Sequence, residues 1–146
     1  MMKGFSIIAM FVIASGVALG QTSFYAADGI AIKGYDPVAY FSEGKPVEGL
    51  KEFSYSWQGT EWHFKNLANR DAFKAAPEKY APQFGGYCAY GASQNHKSPT
   101  DPVAFTIVNQ RLYLNYSPKV KELWMKDTTG YIVKARKNWT SLKDQK

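Results

Sequence analysis

The segment FSYSWQGTEWHF, at residues 53–64, restricts the fold more than any other part of the chain. Aromatic residues occupy every second position before and after Gln58-Gly59, and successive side chains of a strand point to opposite faces. A two-residue step that contains glycine is typical of a tight turn between such runs. The segment therefore predicts a β-hairpin with one aromatic face. His63 falls between two aromatic residues, which puts it on the polar face.

Alternating apolar residues predict a second hairpin, with strands at 104–108 and 112–115 around Asn109-Gln110. Residues 30–32 are predicted as a short strand, and helical patterns fill most of the remaining chain. Helix starts are predicted from capping residues at Asp36, Asn66, Ser117 and at Thr128 or Thr129. The predicted fold class is α+β: two small antiparallel β-hairpins packed against short helices, with a helical C-terminal tail.

The first twenty residues, Met1–Gly20, have the composition of a secretory signal peptide. Lys3 is followed by the apolar run FSIIAMFVIASGVALG, which ends in small residues such as a signal peptidase reads. That run is short for a membrane span of roughly 20 residues, although an uncleaved anchor is the alternative. We therefore expect a mature domain at 21–146 that is periplasmic or secreted.

Charge and composition describe a basic, aromatic-rich domain of ordinary size. The formal charge of the chain is +6, and much of the excess lies in its last thirty residues. In an exported protein this charge does not predict a nucleic-acid partner, but it leaves contact with an anionic membrane surface open. A solvated helix face explains the same residues.

Cys88, within GGYCAYG at 85–91, is the only cysteine of the chain. It has no internal disulfide partner, and an unpaired thiol in an oxidising compartment must be protected or used. Burial as a small apolar residue would protect it. The alternatives are a metal ligand or a nucleophile.

Four segments together resemble an exported, single-domain member of the YHS family. They are GYDPVAYF at 34–41, the hairpin that ends in WHF, RDAFKAAPEKYAPQFGGYCAYG at 70–91 and TDPVAFTIVNQRLYLNYS at 100–117. The resemblance implies an α+β fold, and many YHS domains are regarded as metal-binding. The cysteines of the short YHS domains match Ala39, Lys65 and Asn69 here, so that metal site is not carried over.

Soft ligands elsewhere suggest a different metal site. After residue 20 the Cys, His and Met side chains are those of Cys88, His63, His96 and Met125. Thiolate, imidazole and thioether together suit Cu(I) more than Zn(II), and two ligands are too few for a closed zinc site. Cys88 and His96 would lie about 12 Å apart on a continuous helix, so they meet only if the chain turns near Gly91 and Asn95. The predicted metal ligands are therefore Cys88 and His96, with His63 as a weaker candidate.

Two other function classes remain. A thiol enzyme would need a base near Cys88, yet no Cys-x-x-Cys pair, serine elbow or phosphate loop is present in the sequence, which argues against catalysis. A non-catalytic module that binds a small ligand or an exported partner protein is the alternative, with Cys88 structural. Its ligand would lie among the tyrosines that flank the motifs, which are Tyr35, Tyr40, Tyr87, Tyr90, Tyr113 and Tyr116.

Overall fold

A computed structural model describes residues 24–146 of the chain. The predicted signal segment Met1–Gly20 lies outside these residues, and the domain boundary that follows it stays a prediction. The strands are β1 (Ala26–Ala27), β2 (Ile30–Ala31), β3 (Leu50–Trp57), β4 (Thr60–Phe64), β5 (Asp101–Val108) and β6 (Arg111–Asn115). The helices are α1 (Ala39–Ser42), α2 (Leu67–Ala75), α3 (Pro77–Tyr80), α4 (Ala89–Ser93), α5 (Pro118–Met125) and α6 (Thr128–Leu142).

Both predicted hairpins are present, which confirms the α+β class. β3 and β4 turn at Gln58-Gly59, and β5 and β6 turn at Asn109-Gln110. The first hairpin belongs to a larger sheet in the order β1-β2-β4-β3, in which β2 runs parallel to β4. Because that parallel pairing joins segments about thirty residues apart, the local pattern did not predict it.

Of the four helix starts predicted from capping residues, those at Asn66 and Ser117 are confirmed, whereas α1 begins at Ala39, with Val38 and not Asp36 as its N-cap. The side chains of Asn66 and Ser117 accept the backbone N–H groups of Asn69 and Val120, as an N-cap does. The prediction for the last helix was wrong, because Asp127 caps α6 in place of Thr128 or Thr129. The Asp127 carboxylate accepts the backbone N–H of Gly130, one of the donors that the start of the helix leaves free.

The core consists of two hydrophobic clusters that meet at β6. Leu112 and Leu114 pack into a cluster with Trp62, Phe64 and Phe73. Tyr113, on the opposite face of β6, packs into the second cluster, which contains Phe84, Ala89, Ala92, Trp124, Ile132, Ala135 and Leu142. β6 is therefore covered on both faces, and α4 and α6 form the outer layer of the second cluster.

Among the helices within residues 24–146, none is both long enough and apolar enough to cross a membrane.

Candidate functional site

Cys88 lies at the start of α4, where its side chain caps the helix. Its sulfur accepts hydrogen bonds from the backbone N–H groups of Gly91 at 3.4 Å and Tyr116 at 3.3 Å. The thiol donates in turn to Oδ1 of Asn115 at 3.4 Å. Burial raises the pKa of the Cys88 thiol, and the backbone donors offset only part of that effect. Near neutral pH Cys88 is therefore a neutral thiol.

Asn115, the last residue of β6, is fully buried beside this thiol. Its Oδ1 also accepts the backbone N–H of Tyr90 at 3.0 Å, so two donors fix the orientation of the amide. The Nδ2 of the same amide has no hydrogen-bond partner among residues 24–146. A buried polar group left in this state is costly, and proteins keep few of them.

His96 lines the same cavity as Cys88. The cavity has a volume of about 250 Å³, and Tyr90, Ser98 and Tyr116 form part of its wall. The chain turns back after α4, because Asn95 adopts a φ of 63° and the His96 backbone N–H donates to the Gly91 carbonyl at 3.0 Å. Cys88 lies at the inner side of this cavity, with 1% of its surface exposed, and His96 lies at the exposed outer side.

Helix α6 holds the turn that carries His96. Asn138 donates its side-chain amide to the carbonyls of Ala92 and Ser93, at 3.0 and 3.2 Å. Lys97 donates to the Lys143 carbonyl at 3.1 Å. The Asn138 contacts join the end of α4 to the last helix, and the Lys97 contact attaches the residue after His96 to the end of α6.

His63 lies apart from this cavity and is not the solvated residue that the alternation predicted. It is 8% exposed, because the backbone at Gly34 and Gly49 packs against it. Its Nε2 lies 2.8 Å from Oε2 of Glu61, whose pKa that hydrogen bond lowers. The structure does not bring His63 together with the other two predicted ligands at the wall of the Cys88 cavity.

The three positions that match the family's cysteines surround Asp36, a fully buried carboxylate. Oδ1 accepts the backbone N–H groups of Val38 at 2.8 Å and Ala39 at 3.3 Å. Oδ2 accepts the Lys65 backbone N–H at 2.9 Å and the Asn69 side-chain amide at 2.8 Å. Four N–H donors converge on one carboxylate, and such a set has no spare electron pair for a cation. These residues do not fit the metal site of the short YHS domains.

Two polar residues of these sites were not recognised from sequence. Asp36 was predicted only as a helix cap, and nothing local shows that it also bonds Lys65 and Asn69. Asn115 was predicted only as the last residue of the second hairpin, and its contact with Cys88 was not predicted. The one available signal was a polar side chain at the end of the apolar strand RLYLN.

The flanking tyrosines are divided between core and cavity. Tyr40 and Tyr113 are fully buried, and the Tyr40 hydroxyl donates to the Pro102 carbonyl at 2.7 Å. Tyr90 and Tyr116 line the Cys88 cavity. The six tyrosines therefore do not form one ligand cleft.

Comparison with known proteins finds a family model that matches part of the chain. Residues 38–84 match the model of the YHS domain, a stretch that runs from the start of α1 to Phe84. The match includes Asp36's partners Ala39, Lys65 and Asn69, but it ends before Cys88 and His96. No curated protein and no solved structure matches the chain significantly.

YHS domains are associated with metal binding, which supports a general metal-handling role. Within the described part of the chain, no three or more His, Cys, Asp or Glu side chains are grouped so as to hold a metal ion. A metal held by residues 24–146 must therefore rely on fewer such ligands, on other donors or on a second molecule. Residues 38–84 of this chain are therefore similar to the YHS domain, and they lie within an α+β fold.

Proposed function

We propose that this chain is an exported YHS-domain protein that binds a soft metal ion, Cu(I) first, at Cys88 and His96. No catalytic step is part of the proposal. The observation that carries it is that Cys88 and His96, eight residues apart, line one cavity of about 250 Å³. A thiolate and an imidazole are the ligand types that suit Cu(I).

The surroundings of the sulfur support a metal thiolate. Backbone N–H groups of Gly91 and Tyr116 point at Sγ and stabilise negative charge on it. Hydrogen bonds of this kind orient a ligand and tune its metal. The thiol proton, now donated to Asn115, is the group that a metal ion displaces.

The ligand count supports Cu(I) over Zn(II). Structural zinc sites normally have four protein ligands, whereas Cu(I) accepts two or three soft donors. His96 is at the exposed side of the cavity, so a third donor from solvent or from an exported partner protein has access to the ion. The site is suited to transfer of an ion between proteins.

Export is the second part of the proposal, and it rests on the sequence of Met1–Gly20. We expect a periplasmic or secreted mature chain that begins at Gln21. Mass spectrometry of the protein recovered from the exported fraction tests this cleavage. A chain that retains Met1 in the cytoplasm would contradict it.

Metal titration tests the site. The reduced mature protein, titrated anaerobically with Cu(I) against a chromophoric competitor, is expected to bind one ion per chain. Cys88→Ser should abolish that binding, and His96→Ala should weaken it about tenfold or more by removing one ligand. His63→Ala is the matched imidazole control and should leave the affinity unchanged, because His63 lies outside the cavity. Stoichiometric binding by Cys88→Ser would overturn the proposal.

One observation favours a second candidate, an interaction module in which Cys88 is structural. The sulfur joins the start of α4 to the end of β6 through contacts with Gly91, Asn115 and Tyr116. In that case Cys88→Ser lowers the stability of the fold, and the wild-type chain binds no Cu(I). The same titration, together with urea unfolding of both chains, separates the two candidates.

A further inference from the structure

A second cavity, of about 400 Å³, opens between α6, α3 and the turn of the first hairpin. The rings of Trp57, Phe84 and Trp139 form its apolar wall. Arg136, Glu78 and Gln58 supply polar groups, and we call these six residues the aromatic cleft. Its volume lies within the range of about 300–1,000 Å³ that is typical of small-molecule sites. Cys88 and His96 belong to a different cavity.

The rings of the aromatic cleft are held from behind by the core. Trp57 packs on Trp62 and Phe73, with ring centroids 5.7 and 5.6 Å apart. Phe84 lies 5.9 Å from Trp139 in an edge-on arrangement. Because these rings are fixed before any ligand arrives, little ordering cost accompanies binding between them.

The backbone at Phe84 has a strained conformation that is coupled to the position of its ring in the wall of the aromatic cleft. Phe84 has a φ of 54°, in the left-handed region that bulky side chains rarely adopt. A residue in such a conformation costs about 1–3 kcal/mol and is typical of functional sites. The conformation directs the ring into the second core cluster and the wall of the cleft.

Arg136 gives the aromatic cleft an anion-binding group. Its guanidinium has one hydrogen bond, to the Tyr113 hydroxyl at 3.5 Å, and no ion pair with any residue of the described chain. A guanidinium has five N–H donors, so most remain available for a carboxylate. Glu78, also without an ion pair in this part of the molecule, disfavours ligands with more than one negative charge.

We propose that the aromatic cleft binds a planar aromatic compound with a single carboxylate, its ring against Trp57, Phe84 and Trp139 and its acid group on Arg136. Stacking supplies affinity, and the bidentate pair with Arg136 supplies selectivity for the acid. This site is independent of the proposed metal site.

Heteronuclear NMR of the tryptophan indole N–H groups tests the proposal with 2-naphthoate as the probe. Saturable shifts are expected at the Trp57 and Trp139 indoles. The neutral analogue 2-naphthylmethanol, with the same ring, should bind about tenfold more weakly, in line with one charge-assisted pair.

Variants assign the two parts of the interaction. Arg136→Gln should weaken 2-naphthoate about tenfold and leave the alcohol unchanged, whereas Trp139→Ala should weaken both. Lys137→Gln, on the same helix, is the matched charge control and should change neither. Glu78→Gln should strengthen 2-naphthoate.

The result that overturns the proposal is an absence of saturable shifts at both indoles, or an equal loss in Arg136→Gln and Lys137→Gln. Cys88→Ser should retain the binding of 2-naphthoate. That outcome keeps the failure of the metal site separate from the failure of this one.

Discussion

Replacement of Asp36 by alanine tests whether one carboxylate holds the matched YHS segment together. Four N–H groups donate to it: the backbones of Val38, Ala39 and Lys65 and the side chain of Asn69. These contacts join the start of α1 to the end of β4 and the first turn of α2. Asp36→Ala removes all four acceptor contacts at once and leaves the donors in a buried space.

The expected loss of stability follows from the free-energy cost of a buried N–H donor that has no acceptor. One such group costs about 1–3 kcal/mol, and water that enters the space of the lost side chain recovers part of the total. We expect Asp36→Ala to lower the free energy of unfolding by about 3–5 kcal/mol, a large part of the 5–15 kcal/mol typical of a domain. With an m-value of about 2 kcal/mol/M, the urea midpoint falls by about 2 M.

Tryptophan fluorescence during urea unfolding measures this loss, because Trp62 is fully buried in the neighbouring cluster. Asp36→Asn keeps the size and one acceptor oxygen, so it should lose about half as much. Asp71→Ala, an exposed carboxylate on α2, is the matched control and should cost under about 0.5 kcal/mol. A loss below about 1 kcal/mol for Asp36→Ala would refute the reasoning.

Three further predictions concern other residues. Burial raises the pKa of the Tyr40 hydroxyl far above its ordinary value. Unfolding therefore releases the Tyr40 proton above about pH 10, and the free energy of unfolding falls as the pH rises from there. In urea unfolding, Tyr40→Phe should show a shallower fall of that free energy at alkaline pH. Because the Cys88 thiol is neutral near pH 7, the Cu(I) affinity of the proposed site should fall about tenfold for each pH unit below the thiol pKa. Competition titrations between about pH 6 and 8 measure this slope. An affinity that does not change with pH would exclude displacement of the thiol proton by the metal. Gly49→Ala places a methyl carbon 2.5 Å from the carbonyl carbon of His63, and thermal unfolding should show a loss of stability of about 2 kcal/mol or more. Gly44→Asn is the control, because no atom lies within 4 Å of the added Cβ, and it should change the stability little.

Part of the candidate metal site was predicted from the sequence, and part of it was not. The pair Cys88 and His96 was predicted from ligand chemistry, together with the condition that the chain turns near Asn95. The turn is there, with Asn95 in the left-handed conformation that asparagine tolerates. Whether the two side chains hold an ion stays a prediction. The buried Asn115 beside the thiol was missed, because its contact with Cys88 joins residues 27 positions apart.

The sequence by itself determined the local structure. Period-two alternation and turn residues placed both hairpins, and Asn66 and Ser117 placed the starts of α2 and α5. These features depend on interactions within a few residues, so a short window contains the information they require.

Only the tertiary structure decided which polar groups are buried and what they meet. His63 became buried because the segments that contain Gly34 and Gly49 pack against it. Asp36 became the centre of a four-donor network because α1, β4 and α2 converge on it. Such contacts arise when segments that are distant in sequence pack against one another. The sequence pattern of one segment therefore does not predict which other segments contact it.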